Sequence, residues 1–486
     1  MTLSMLEEIK KLETEARVLE PEQHDREQLL QYAAGYSNEF YSSLSKSPVY
    51  NAEYKLADEI LDSPLSEKPY TAEAVIDEIK RKVDETGINT ASGGHLGYIP
   101  GGGIFASAVG DYLAAVTNRY AGVHHASPGA VNIERRLISW MSDLVGYPQT
   151  SGGFLASGGS IANLTAIITA REAAALKAKD FEKAVIYQTE QTHHCIDRAL
   201  RITGMGEAIR RVVPMDKHFR MKTDSLDAVI EKDLKNGLKP WLVVGSAGTT
   251  DTGAVDPLEG IAEVARKFDI WFHVDAAYGG FFILVDEMKS LFRGIEQSDS
   301  VVLDPHKGLF IPYGIGAVIV KDENLMADAY AYQANYMQDV LDQRSVLSPS
   351  DTSPELSKHY RGLRMWLPLK YHGIRPFRKA LKEKLRLAEY AYQKIKALDG
   401  FEVGPPPELS VFLFRYMPPT GDVDAFNRQL HQAILDDGRI YLSSTKIDGR
   451  FMLRIAVLSV RTHLQTIDLA IELIDNKAKE VINDFL

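Results

Sequence analysis

Apolar positions recur at helical spacing through the first ninety or so residues. Leu29, Ala33, Tyr36 and Phe40 fall on one side of a helix, and Thr71 is placed to cap a second helix carrying Val75, Ile79 and Val83. The aromatic stripe has two readings: an arm that clasps another subunit, or a face turned to the core. From Gly93 to about Lys321 the period changes. Short β-rich runs at 184–187, 241–244, 270–274, 300–303 and 316–320 alternate with helical stretches. That alternation predicts an α/β fold with a mostly parallel sheet covered by helices. Ligands bind such sheets beyond the carboxyl ends of the strands, and Thr250, Asp275 and Lys307 all fall just past a strand end. Residues 331–354 show no sustained period; a loop of that length is functional or disordered. A long helix is predicted over 376–398. The turn at Pro405, Pro406 and Pro407 then opens a smaller α+β region with strands at 411–416 and 451–457. The predicted organisation is a helical segment over 1–92 (a candidate for dimerisation if the stripe is an arm), a large domain over 93–370 and a small domain over 371–486.

Composition narrows the classes. With 45% hydrophobic and 25% charged residues the chain is ordinary globular material, long enough for a large core. A net charge of −11 argues against nucleic acid or an anionic membrane as partner. The single cysteine, Cys195, excludes an internal disulfide and a cysteine-rich zinc site, and suits a reducing compartment. Residues 1–11 form a charged helical stretch without the apolar run of a secretory signal, and no segment approaches ~20 uninterrupted apolar residues. The cytoplasm is the predicted location.

The candidate chemistry lies at the strand ends. One apolar strand delivers Asp275; the next delivers Asp304, His306 and Lys307. A lysine can form an imine with an aldehyde, and an acid can pair with a protonated ring nitrogen, which is what pyridoxal phosphate requires. Taken singly, Lys307 also reads as a solvated lysine after a turn. Glycines and serines at 156–163 open a helix whose N-terminus can cradle a phosphate; the same residues also suit a plain serine-capped helix start. His193 and His194 offer an imidazole to lie over a ring, or a surface pair; adjacent histidines without further ligands do not make a metal site. The turn Gly248 to Gly253 places hydroxyls toward a ring or phosphate, or simply bonds itself.

Together these segments carry a resemblance. Ser-Gly-Gly-Ser at 157–160, Thr-His-His at 192–194, Gly-Thr-Thr at 248–250, His-Val-Asp-Ala-Ala at 273–277 and Asp-Pro-His-Lys at 304–307 resemble, in order, the group II pyridoxal-phosphate decarboxylases of aromatic amino acids, tyrosine, glutamate and histidine. The resemblance implies fold type I of the pyridoxal-phosphate enzymes and a homodimer with shared active sites. It implies Lys307 as the Schiff-base lysine with His306 beside it, and Asp275 as partner of the pyridinium nitrogen. It further implies Ala277 under the ring, His193 stacked on it, Gly159 and Ser160 on the phosphate, and Thr250 and Asp304 as further cofactor contacts. Tyr336 corresponds to the tyrosine on the family's mobile loop that protonates the product carbon, where related aldehyde synthases carry phenylalanine. Tyr98, Pro100 and His124 fall in the substrate-pocket segments. This chain departs from the family at Ile161 (glutamate in many members) and Asp304 (asparagine in the animal enzymes). Thr90 lies near the point where animal aromatic decarboxylases carry a tryptophan, and Val-His-His at 123–125 replaces a Phe-Ser-Trp stretch. These departures make the pocket less aromatic and more polar. The predicted activity is decarboxylation of an L-amino acid; an aldehyde synthase, a transaminase or a carbon-carbon lyase on the same cofactor is the alternative.

Overall fold

A computed structural model describes residues 3–331 and 347–485. The chain opens with α1 (Leu3–Ala16), α2 (Gln23–Ser43) and α3 (Ala72–Ile79). Thr71 caps α3 as its position predicts, its Oγ1 accepting from the Ala74 N–H at 3.2 Å. The stripe on α2 is not turned to the core of this chain: α2 buries no residue, and Leu29 is 55% exposed. Tyr36 and Phe40 are only half-buried.

The centre is a seven-stranded sheet of β1 (Gly152–Ala156), β2 (Ala184–Gln188), β3 (Ile209–Val212), β4 (Lys239–Ser246), β5 (Trp271–Asp275), β6 (Ser300–Leu303) and β7 (Gly316–Val320). Its spatial order is β1-β7-β6-β5-β4-β2-β3. The run from β3 to β6 is parallel, and β7 lies antiparallel between β6 and β1. Alternate residues of a strand point to opposite faces. Val185 and Tyr187 therefore join one apolar cluster with Leu137 of α5 (Pro128–Val145), which follows α4 (Phe105–Thr117). Ala184 and Ile186 join another with Ile167 of α6 (Gly159–Ala173) and Ile196 of α7 (Cys195–Ile202). Burial on both faces explains why these strands read as continuous apolar runs rather than as alternations.

Beyond the sheet come α8 (Gly362–His372) and α9 (Ile374–Lys396), the latter the long helix predicted over 376–398. A four-stranded antiparallel sheet comes next: β8 (Phe401–Val403), β9 (Val411–Tyr416), β10 (Ser443–Ile447) and β11 (Arg450–Ala456), ordered β8-β9-β11-β10. With α9, α10 (Val423–Asp437) and α11 (Leu464–Phe485) it packs a second core around Phe412, Phe414, Leu430, Leu453 and Ile474. Three elements are silent in the sequence pattern. β3 is an edge strand with Arg210 and Arg211 at its middle, β1 begins on two glycines, and α8 contains Pro368. No described helix is long and apolar enough to cross a membrane.

Candidate active site

Neighbouring parallel strands end on the same edge, so β4, β5 and β6 deliver Ser246, Asp275 and Leu303 side by side. The turns after them enclose a cavity of about 290 Å³. Its lining contains Gly159, Ser160, His193, Thr250, Asp275, Ala277, Asp304, His306 and Lys307, every position predicted to contact the cofactor.

The lysine sits in a short helical turn, Pro305–Gly308, whose first position is a proline with φ already suited to it. Its Nζ lies 3.1 Å from Asp304 Oδ2, and His306 Nε2 lies 3.6 Å from the same oxygen. Burial works to lower the Lys307 pKa, but the charges of Asp304 and Asp275 outweigh it and hold the ammonium above its ordinary value. Asp304 Oδ1 is buried and, among the described residues, finds no hydrogen-bond partner. Across the cavity, Asp275 Oδ1 accepts from the Ala277 N–H at 3.1 Å, and Oδ2 faces Asn163 Nδ2 at 3.4 Å.

Helix α6 starts at Gly159 with no side chain capping it. The first turn of a helix leaves N–H groups without intrahelical partners, and its dipole favours an anion there. A Cβ at Gly159 would come within 2.7 Å of Asp304 Oδ2, so glycine is what lets the helix start approach the lysine turn. His193 lies in the turn before α7, its Nδ1 accepting from the Cys195 N–H at 3.3 Å. Burial lowers its pKa, the charges of His194 and Lys307 act in the same direction, and Asp275 opposes them. The ring is therefore neutral at pH 7. The donor set fits pyridoxal phosphate: an uncapped helix start with Ser160 for the phosphate, an amine for the aldehyde carbon, a carboxylate for the ring nitrogen, and a buried Asp304 oxygen still lacking a donor.

The substrate-pocket candidates are not brought into this cavity by one chain. Tyr98 is 55% exposed, and the Tyr441 hydroxyl donates to its own at 3.0 Å. Pro100 is buried in a segment pressed on the lysine turn: a Cβ at Gly101 would sit 2.1 Å from the His306 carbonyl oxygen. The His124 N–H donates to Ser348 Oγ at 3.0 Å, away from the cavity lining. Tyr336 lies outside the described residues. Three residues of the site carry no role assigned from the sequence. Asn163 and His273 stand behind Asp275, and Arg454 of β11 donates from Nε to the Thr250 carbonyl at 2.9 Å, tying the second sheet to the cavity wall. His273 carries a signal, since two residues before Asp275 on one strand means the same face. So does Asn163, one helical turn after Gly159.

A larger cavity, about 730 Å³, opens at the opposite edge of the sheet beside Trp241, Trp271 and Asp299. Its lysines are already engaged, Lys239 with Asp180 and Lys321 with the Gln297 carbonyl at 3.5 Å. The residues predicted to contact the cofactor line the smaller cavity.

Comparison with known proteins agrees with this geometry. The pyridoxal-dependent decarboxylase conserved domain matches residues 54–417. An aromatic-L-amino-acid decarboxylase of Bacillus atrophaeus is 33% identical over 372 residues, covering 76% of this chain and 77% of that one. A phenylacetaldehyde synthase of Petunia hybrida is 27% identical, covering 96% of each. The crystal structure of Oryza sativa TDC with PLP and tryptamine superposes with a TM-score of 0.89 at 25% identity, over 95% of this chain and 99% of that one. The chain belongs to the pyridoxal-dependent decarboxylase family. It is a fold type I enzyme with pyridoxal phosphate as cofactor, a carboxy-lyase of amino-acid metabolism.

Proposed function

We propose that the enzyme removes the carboxylate of an L-amino acid, giving the amine and carbon dioxide. The observation that carries this reading is the convergence of Lys307, Asp275 and the uncapped start of α6 on one cavity. Lys307 would hold the cofactor covalently, and Gly159 and Ser160 would take its phosphate. Asp275 would hold a proton on the ring nitrogen, Ala277 would leave room beneath the ring, and the neutral ring of His193 would lie over it. Thr250, Asp304 and His306 would complete the bed. Bound there, pyridoxal phosphate supplies an electron sink for the pair left when the carboxylate departs. Decarboxylation then needs an acid rather than a base, and Tyr336 is assigned to return the proton.

Tyr98, Pro100 and His124 would serve substrate binding in a homodimer whose sites are shared. Support comes from apolar surface on helices outside the core: Leu29 is 55%, Phe105 52% and Val116 62% exposed. A soluble, active monomer in light scattering would contradict the shared site. In the dimer, mixing Lys307→Ala with His124→Ala subunits should restore activity that neither variant has alone.

The similarity to a phenylacetaldehyde synthase favours a second reading, oxidative turnover to an aldehyde. A panel of L-amino acids scored for carbon dioxide, amine, aldehyde and hydrogen peroxide tests both. In air, amine with no aldehyde is expected from the wild type, and Tyr336→Phe should divert turnover toward aldehyde, ammonia and peroxide, with dioxygen consumed as the two-electron oxidant. Aldehyde from the wild type would replace the first reading by the second.

A further inference from the structure

Behind Asp275 runs a buried line of hydrogen bonds that no step of the proposed reaction uses. His273 precedes Asp275 by two residues on β5 and so shares its face of the sheet. The register sets His273 beside Ser300, the first residue of β6, and His273 Nδ1 lies 2.8 Å from Ser300 Oγ. Asn163 is the fifth residue of α6, the helix that covers this face. Its Oδ1 lies 2.7 Å from His273 Nε2. Its Nδ2 donates to the Gly159 carbonyl at 2.9 Å and faces Asp275 Oδ2 at 3.4 Å. The Trp271 indole N–H donates to Ser300 Oγ at 2.9 Å.

The directions of these bonds are dictated by the groups themselves. The Gly159 carbonyl and the Asp275 carboxylate both accept, so the amide NH₂ of Asn163 must face them and its oxygen must face His273. That oxygen can only accept, so His273 carries its proton on Nε2. Burial pushes the His273 pKa down to about 4, which leaves the ring neutral and its Nδ1 an acceptor for the Ser300 hydroxyl. Indole N–H, serine O–H, imidazole N–H and amide N–H thus all point the same way, toward Asp275.

We propose that Asn163 and His273 are positioning residues: through one amide they fix the Asp275 carboxylate relative to the Gly159 start of α6, and so set the distance between the ring-nitrogen end and the phosphate end of the cofactor bed. The line supplies a neutral donor to Asp275. It orients the carboxylate without cancelling the charge that would hold a proton on the ring nitrogen. A cation in place of His273 would weaken that charge, and an apolar residue would leave the Asn163 oxygen without its donor, so that of its close bonds only that to the Gly159 carbonyl still orients the amide. This inference rests on the assignment of Asp275 to the ring nitrogen.

The test uses the full-length apoenzyme and two ligands: pyridoxal phosphate and its analogue with a C–H in place of the ring nitrogen. Affinity is read by spectroscopic titration, and thermal midpoints are recorded in parallel. His273→Phe should weaken pyridoxal phosphate by about tenfold and the analogue by less than about twofold, because only the former has a nitrogen for Asp275 to meet. His273→Gln, whose Nε2 amide can still donate to Asn163, should stay within about twofold of wild type for both. Asn163→Leu should weaken both ligands, since it releases Gly159 as well. Equal losses for the two ligands in His273→Phe, or no loss, would overturn the positioning role. If His273→Phe does not fold, Ser300→Ala frees the imidazole to turn and is read by the same ratio. Asp275→Asn is the control. If it does not discriminate between the ligands, the assignment of Asp275 has failed; if it discriminates and His273→Phe does not, only the positioning role has.

Discussion

At one edge of the central sheet the strand ends enclose about 290 Å³; at the other they enclose about 730 Å³. The same strands build both. At the larger cavity Lys239 meets Asp180, Arg266 meets Gln297, and Asp299 accepts from the Phe272 N–H at 2.7 Å, while the buried Trp241 indole N–H finds no partner among the described residues. At the smaller one a helix starts without a cap and Asp304 Oδ1 has no donor among the described residues. Parallel strands send the turns that precede their helices to the carboxyl edge, and with them the helix N-termini and their unpaired N–H groups. An uncapped helix start facing a lysine and two carboxylates, rather than free volume, separates the two ends.

The contrast can be broken most directly at Lys307. Borohydride reduction should fix the cofactor to the peptide containing Lys307, and Lys307→Ala should abolish this label and lower amine formation by at least ~1,000-fold. Label on another lysine would move the site. Asp275→Asn comes next. Breaking a buried ion pair costs about 3–5 kcal/mol, and partial expression of that in the transition state predicts a loss of at least ~100-fold with cofactor still bound. A variant within threefold of wild type would remove Asp275 from the reaction.

The two ends should also answer acid with opposite sign. His273 is held neutral by burial, its pKa pushed down to about 4 from an ordinary value of 6.5. Between those values the unfolded chain takes up a proton that the folded ring refuses. Stability from this group is therefore present above pH 6.5 and lost as the pH falls toward 4, by an amount on the order of 3 kcal/mol. At the far edge, burial raises the Asp299 pKa, with the Phe272 N–H and Lys321 opposing it. Its contribution is favourable at low pH and lost as the pH rises through that raised value. Denaturant midpoints across this range should show a shallower acid decline in His273→Gln and a steeper one in Asp299→Asn. Parallel curves for both variants would mean that neither group senses the fold as described. The smallest effect belongs to Trp241→Phe in the larger cavity, expected to leave amine formation within about threefold of wild type; a larger loss would show that the far edge is coupled to the reaction.

The central strands and the positions of Lys307, Asp275, Thr250 and the α6 start were legible in the sequence because each rests on short-range pattern. An apolar run of about four to eight residues marks a buried strand, and the glycines, prolines and polar residues at its end mark the turn. Such pattern is missing at β3, where an edge strand needs no apolar run, and at α8, where Pro368 hides a helix held by packing. It leaves open which way the α2 stripe faces, because a chain's apolar residues do not say whose surface they cover.

The amino-acid order alone therefore determined the fold class and the cofactor, and singled out the residues proposed to hold it. Only the tertiary structure decided that Asn163 reaches both Gly159 and Asp275, that His273 meets Ser300, that Arg454 grips the Thr250 turn from a second sheet, and that Tyr98 and His124 stay outside the cavity of their own chain. Several of these contacts join side chains far apart in the chain. Their geometry is set by how helices and sheets pack, which no local period in the sequence encodes.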